Sequence, residues 1–247
     1  RRLGRLGSPR CPTRLTPAGK STPLTSARLA LSSGFPFKGF GMPDTQQHWD
    51  TVYRSKRFDA VSWYAPHLGE SLRLIEALCP DRTAAVVDIG GGESTLVDDL
   101  LAKAYVNLSV LDISAAAIDF TRQRLGPQAA RVDWHVGDVT THDFGHRKFD
   151  LWHDRAVFHF LTDASARAHY VDLVKRAVKP GGHVVMATFG PEGPLQCSGL
   201  DVVRYDDATL HHQFGNQFQL IGSQIADHAT PMGTHQQFLY CWCKVSH

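Results

Sequence analysis

Between positions 84 and 189 the chain alternates short apolar runs with longer amphipathic ones. The runs at 84–89, 107–112, 131–136, 149–153 and 183–189 are rich in Val, Ile, Leu and Phe and bounded by Gly, Pro or acidic residues, which predicts buried strands. Between them, 93–105, 114–125 and 163–178 repeat apolar positions at helical spacing. In the last of these, Ala166, Tyr170, Leu173, Val174 and Ala177 share one face, and Lys179-Pro180-Gly181-Gly182 is expected to stop the helix. Ser114 is placed to cap the second helix, and Asp206 opens a further one over 206–214. Upstream, a short helix is expected over 48–56 and an amphipathic one over 66–79, with Leu68, Leu72, Ile75 and Leu78 on its apolar side. Pro66 suits its first turn and Pro80 its end. The runs at 217–225 and 235–243 read as a final antiparallel pair. Strands alternating with helices imply an α/β doubly wound sheet, largely parallel, with helices on both faces.

The stretch Val86-Val87-Asp88-Ile89-Gly90-Gly91-Gly92-Glu93-Ser94 passes from a buried strand through three glycines into a helix. Glycine is needed where a backbone turns sharply or admits a ligand, and the helix start behind it presents unpaired N–H groups. Such a unit binds nucleotides in doubly wound folds. The next strand ends in Asp112, which can take both hydroxyls of a ribose, and the third is followed by Gly137-Asp138. Three successive strands with an acid at or just past the C-terminal end describe an adenosine pocket. A dehydrogenase is the competing reading of the glycine turn, but it explains neither the KPGG run nor the acid after the third strand.

The ordered set VVDIGGGES, LDIS, Gly137-Asp138, FDLWHD (149–154) and KPGGHVVMATF (179–189) resembles the motifs of the class I S-adenosylmethionine-dependent methyltransferases, over roughly residues 45–247. The resemblance implies a seven-stranded Rossmann-like sheet with a last antiparallel strand, and S-adenosyl-L-methionine as cofactor with S-adenosyl-L-homocysteine as product. It places Asp88, Gly90, Gly91 and Gly92 against the methionine part, Asp112 and Ile113 at the ribose, and Asp138 with Val139 at the adenine. Ser94 stands where the family often has a third glycine. The N-terminal helices of the family close over the cofactor, which makes Tyr53, Trp63 and Tyr64 candidates to face a sulfonium by cation–π attraction.

Charge is segregated. The formal net charge of +2 over 247 residues hides a leader, 1–43, that holds eight of the 26 Lys and Arg and no acid, leaving 18 basic and 24 acidic groups on 44–247. An acidic body argues against a nucleic-acid surface. No run of eighteen apolar residues suggests a transmembrane helix. Residues 1–41 read as a disordered basic leader, and 42–247 as the methyltransferase domain. Three origins compete for the leader: sequence translated upstream of a true start at Met42, which is favoured, an expression remnant, or a transit peptide. A cytoplasmic location is expected on the first, an organellar matrix on the last. Five cysteines without CxxC spacing fit a reducing compartment. The histidines and cysteines of the last third match no metal-site spacing, and no metal is expected.

Methyl transfer is an in-line displacement and needs a base only when the acceptor is protonated. Asp154, His153 and His159, around the end of the fourth strand, are the candidate catalytic groups; Asp154 and Arg155 pairing only with each other is the alternative. The Asp-or-Asn-Pro-Pro-aromatic motif of nucleobase amine methyltransferases is absent. The Asp154-Arg155 pair resembles the loop of small-thiol and thiopurine methyltransferases and that of certain lysine methyltransferases. Cys197, Arg204 and Tyr205 are candidates to shape a lid. The expected acceptor is a small soft nucleophile such as a thiol or sulfide. A protein-lysine N-methyltransferase and a non-catalytic binding module are the rivals. No nucleic-acid or membrane partner is expected, and oligomeric state is left open.

Overall fold

The computed structural model describes residues 45–246; the leader expected at 1–41 and the start expected at Met42 lie outside the described residues. In chain order the elements are α1 (Thr45–Ser55), α2 (Gly69–Leu78), β1 (Ala85–Ile89), α3 (Leu96–Ala102), β2 (Asn107–Asp112), α4 (Ala115–Leu125), β3 (Val132–Val136), β4 (Phe149–Arg155), α5 (Ala164–Ala177), β5 (Val178–Phe189), β6 (Gln196–Cys197), β7 (Leu200–Asp201), α6 (Asp207–Phe214), β8 (Phe218–Ala229) and β9 (His235–Val245). Seven of the strands form one sheet in the order β3-β2-β1-β4-β5-β9-β8, and β6 with β7 forms a small hairpin. Strands β1 to β5 run parallel; β9 is antiparallel to both β5 and β8. The single reversed strand is therefore β9, as expected.

Strand β1 is central, and Val86 to Ile89 are all buried because layers cover both faces of the sheet. On one side Leu74 and Ile75 of α2, Leu96 and Leu100 of α3 and Ile118 of α4 pack on Val86 and Leu151. On the other, Tyr170 and Leu173 of α5 and Leu210 and Phe214 of α6 pack on Val87 and Trp152. Ser114 caps α4 by accepting from the Ala117 N–H, and Asp206 forms a capping box with Thr209 at α6, as the sequence predicts. Ser94 does not cap α3 from the position directly before it; its hydroxyl accepts from the Leu96 N–H, and the glycine turn holds Glu93 to Thr95 out of the helix.

The elements depart from expectation in several places. Helix α2 starts at Gly69, three residues after Pro66. Strand β5 begins at Val178, so the KPGG run is extended chain and not a helix cap. It tracks β4 with a register shift between Phe149 and Leu151, and Lys179 pairs with Asp150 at 2.8 Å. The β6–β7 hairpin was not foreseen; it turns through Ser198 (φ 51°) and Gly199 (φ 79°), the positive pair that a two-residue hairpin requires.

Side-chain alternation along β4 sends His153 and Arg155 to one face and Trp152 and Asp154 to the other. Asp154 is fully buried there. Its Oδ1 accepts from the Val157 N–H at 2.9 Å, and its Oδ2 accepts from the Phe158 N–H at 3.1 Å and the Tyr170 hydroxyl at 2.5 Å. The Trp152 indole N–H in turn donates to the Tyr170 hydroxyl at 2.9 Å. Burial holds the Asp154 carboxyl up at about 6. This network fixes the turn that follows β4. Tyr170→Phe strands the buried indole N–H and removes one donor from the carboxylate, and should lower unfolding free energy by about 1–3 kcal/mol in a urea titration. A loss below roughly 0.5 kcal/mol would show that the network does not hold the turn.

Candidate active site

A narrow, half-enclosed pocket opens at the C-terminal ends of β1 and β4, where ligands sit in open α/β sheets. Asp88 and Gly90 come from β1 and the turn after it, His153 and Arg155 from the end of β4, and Glu93 to Thr95 from the segment that leads into α3. The segment between α1 and α2 supplies an aromatic wall of Phe58, Trp63 and Tyr64, with Tyr53 of α1 beside it. That wall is braced by edge-on contacts of Trp63 with Trp49 and Tyr53, and of Tyr64 with Phe58. Asp50 of α1 accepts from the Ser114 hydroxyl and so ties α1 to the start of α4, over the end of β2.

The glycine turn is tight for a physical reason. Gly90 has φ 68°, and a Cβ there would lie 2.1 Å from Val157. A Cβ on Gly91 would stand 2.7 Å from Asp88 Oδ2, and one on Gly92 2.6 Å from Asp112 Oδ2. The turn therefore presses its backbone onto two carboxylates. Asp112 accepts from the Gly92 N–H at 3.0 Å and the Ser114 N–H at 2.8 Å, and each of its oxygens keeps a second lone pair. Burial pushes Asp112 and Glu93 both up to about 7, against the pull of backbone N–H groups on Asp112 and of Arg124 on Glu93. Asp88 Oδ2 and Glu93 Oε2 are buried without a hydrogen-bond partner.

These features fit an adenosyl sulfonium cofactor. Two unpartnered carboxylate oxygens call for a cation or for N–H and O–H donors, the aromatic wall suits a sulfonium, and a buried acid at the end of β2 suits a ribose.

The sequence-predicted residues divide. Asp88, Gly90, Trp63, Tyr64 and His153 line the pocket; Gly91, Gly92 and Asp112 do not line it, the two glycines packing on Asp88 and Asp112, and half-buried Ile113 follows Asp112. Asp138 is exposed, and its Oδ1 accepts from the Thr140 N–H and hydroxyl at 2.7 Å, an Asx turn that shapes the loop after β3; Val139 is buried against the core. The structure does not bring the catalytic candidates together as bases. Asp154 faces away from the pocket with both oxygens engaged, and it makes no ion pair with Arg155, which points to the other face. His153 has both ring nitrogens occupied, Nδ1 by Asp88 Oδ1 at 2.7 Å and Nε2 by Ser71 Oγ at 2.9 Å. His159 is fully buried, and burial with Arg155 nearby drops it to about 3. Its Nδ1 accepts from the Phe189 N–H, so its only proton sits on Nε2 and it has no lone pair free to act as a base.

Glu93 and Arg155 are the charged pocket residues that the sequence reading left out of the site. Arg155 donates to the Trp63 carbonyl at 3.1 Å and lies 4.4 Å from the Phe238 ring centre, but makes no ion pair among the described residues. The expected lid segment is folded down: Cys197 is buried, Tyr205 packs on Phe158, and the Val203 N–H donates to the His159 carbonyl. Cys241 and Cys243 share the buried face of β9. Among the described residues no group of three or more His, Cys, Asp or Glu could hold a metal ion, and no helix is long and apolar enough to cross a membrane.

Residues 86–182, from β1 into β5, match the family described as "Methyltransferase domain". The chain is 24% identical over 189 residues to EEF1A lysine methyltransferase 2 of Danio rerio, covering 69% of this chain and 81% of that protein. It is 30% identical over 141 residues to Nodulation protein S of Rhizobium tropici, covering 57% and 56%. Among solved structures it resembles Burkholderia thailandensis 1,6-didemethyltoxoflavin-N1-methyltransferase bound to S-adenosylhomocysteine (TM-score 0.59, 17% identity, 82% of this chain and 84% of that one). It also resembles Haemonchus contortus phosphoethanolamine N-methyltransferase 2 bound to S-adenosyl-L-methionine (TM-score 0.64, 14% identity, 84% and 61%).

Two outcomes test the pocket. Asp112→Ala should weaken S-adenosylmethionine binding by roughly 10–100-fold in calorimetry, since a carboxylate with two lone pairs for hydroxyls is lost; unchanged affinity would remove Asp112 from the ribose site. Glu93 and Asp112 must also ionise to accept the ligand, at about tenfold for each, so the dissociation constant should fall by roughly 10–100-fold from pH 6 to pH 8. The ligand-free protein responds in the opposite direction. The favourable contribution of these raised carboxyls is fully present below their unfolded pKa of about 4 and is lost as pH rises through about 7. A flat binding curve would mean that neither carboxylate meets the ligand.

Proposed function

We propose that this class I S-adenosylmethionine-dependent methyltransferase transfers its methyl group to a small acceptor that reacts as an anion, a thiolate or sulfide being the favoured chemistry. Membership of the class rests on the match of residues 86–182 to the methyltransferase domain and on the sheet order. The acceptor reading rests on Arg155, a guanidinium in the pocket wall with no carboxylate partner among the described residues. An unpaired, partly buried cation lowers the pKa of a neighbouring thiol and orients the resulting thiolate.

S-adenosylmethionine supplies a methyl group already activated by its sulfonium. The residues of this chain do the rest by placement and by excluding water. Tyr53, Trp63 and Tyr64 form an apolar wall that displaces solvent and attracts a cation through ring faces. Asp88 and Glu93 hold charge on the cofactor side, and Arg155 holds the opposite sign beside them. The three side chains expected as bases are all occupied or neutral. That suits a nucleophile already deprotonated in solution, as a thiol is in part near neutral pH.

A lysine acceptor is the second reading. The Danio rerio relative favours it, and Glu93, at about 7, is a pocket carboxylate able to take a proton from an ammonium. Against it, an ammonium entering the pocket meets Arg155. Nothing in the composition of the body favours a nucleic-acid acceptor, and a cytoplasmic setting fits the five scattered cysteines.

The two readings separate in one assay. Protein is incubated with methyl-labelled cofactor and either small thiols with sulfide or a cell lysate. Label should appear in small, partly volatile products. Arg155→Leu should raise the KM for thiol by roughly 10–100-fold while cofactor affinity changes little. Label fixed in protein bands, or a thiol KM indifferent to Arg155, would overturn the thiol reading in favour of the amine one.

A further inference from the structure

We propose that His153 is a positioning residue for the cofactor: a one-way chain of buried hydrogen bonds from Tyr240 through Ser71 and His153 fixes the Asp88 carboxylate so that Asp88 Oδ2 is kept for the amino-acid end of S-adenosylmethionine.

Four side chains from four different elements carry the inference. Asp88 closes β1, His153 lies near the end of β4, Ser71 is in the first turns of α2, and Tyr240 is in the middle of β9. Each is nearly solvent-free, with exposures of 4%, 1%, 0% and 4%. The distances are 2.7 Å from Asp88 Oδ1 to His153 Nδ1, 2.9 Å from His153 Nε2 to Ser71 Oγ, and 3.2 Å from Ser71 Oγ to the Tyr240 hydroxyl. Donor counting then sets the direction. An ionised Asp88 can only accept, so a neutral His153 must carry its proton on Nδ1 and donate it. Nε2 is left with a lone pair and accepts from the Ser71 hydroxyl. Ser71, its own proton spent, accepts from the Tyr240 phenol. Each of these donors has one acceptor, and the chain ends on Asp88 Oδ1.

The other oxygen of Asp88 is different. Oδ2 has no partner although it is buried, and it lies against the glycine turn where Gly91 leaves no space for a side chain. A buried carboxylate oxygen left bare costs free energy unless a ligand donor reaches it. Tying Oδ1 by a directed bond stops the carboxylate from rotating to satisfy itself on the protein. This accounts for a pocket histidine that has no lone pair to offer a substrate. It also links α2, through Ser71, to the floor of the site.

The ligand donor for Oδ2 is an ammonium, which S-adenosylhomocysteine carries and 5′-methylthioadenosine lacks while retaining the adenosine and sulfur. Calorimetric affinities of both ligands are measured for three variants. His153→Gln reaches Ser71 but loses the Nδ1 donor; S-adenosylhomocysteine should bind about tenfold more weakly, with 5′-methylthioadenosine within about twofold of the parent. His153→Asn places its amide N–H at the Nδ1 position and should restore S-adenosylhomocysteine affinity to within about threefold. Ser71→Ala keeps the Asp88 contact but releases the tautomer, and should weaken S-adenosylhomocysteine about threefold without affecting 5′-methylthioadenosine. A merely structural role predicts that both ligands lose affinity together, and that result overturns the proposal. So does parental S-adenosylhomocysteine affinity in His153→Gln, or a loss in His153→Asn as large as in His153→Gln. If His153→Gln lacks a cooperative melt, Ser71→Ala decides alone, and equal loss of both ligands or no loss of S-adenosylhomocysteine refutes the chain.

Discussion

The structure depends on a carboxylate held in the dry interior at the end of its central strand. Asp88 sits between two parallel neighbours, under a glycine turn whose backbone leaves no room for a side chain, and one of its oxygens is bound while the other is bare. A buried anion without a full set of partners is unfavourable by itself. The surrounding sequence offsets that cost with a histidine at 2.7 Å and, by our reading, with a cationic ligand. The flat glycine run, the small residues beside it and the aromatic cover all follow from the need to bring such a ligand close and keep water away. Asp112 repeats the arrangement one strand over, with backbone N–H groups taking the place of the histidine.

Most of the fold was legible in the chain because its strands are continuous apolar runs and its helices have one apolar face. That signal is local and strong from β1 to β5. Legibility failed where the backbone is governed by tertiary contacts. The KPGG run carries helix-stop chemistry, yet it pairs with β4 through a register shift and a Lys179–Asp150 bridge, so it is strand. Helix α3 loses its first turn because the packing of the glycine turn holds Glu93 to Thr95 away from helical geometry. The β6–β7 hairpin is too short to have a periodicity.

The site was legible only in part, for a related reason. Acids at strand ends and consecutive glycines are one-dimensional signals, and of these Asp88 and Gly90 line the pocket. Which face a β4 side chain takes is decided by register, and this separates neighbouring residues completely: Arg155 enters the pocket while Asp154 is spent on capping the next turn. The histidines were read as bases from their side-chain type. Their hydrogen-bond partners come from Phe189, Ser71 and Asp88, far away in sequence, and those partners remove the lone pairs a base needs. Glu93 was given no role, the glycine motif drawing notice to Ser94 beside it, although burial gives Glu93 a carboxyl near 7 in the pocket wall. What remains is a site rich in positioning and poor in proton acceptors, with one cation opposite two acids.

A pocket of that kind predicts where the pH dependence of the reaction comes from. The most direct measurement is kcat/KM for a series of thiols of different acidity, each followed across pH at saturating cofactor. If the acceptor supplies its own anion and Arg155 only stabilises it, the apparent pKa of each profile tracks the pKa of the thiol used, displaced downward by a similar amount across the series. A single apparent pKa shared by every acceptor would instead reveal an enzyme base, and would contradict the account.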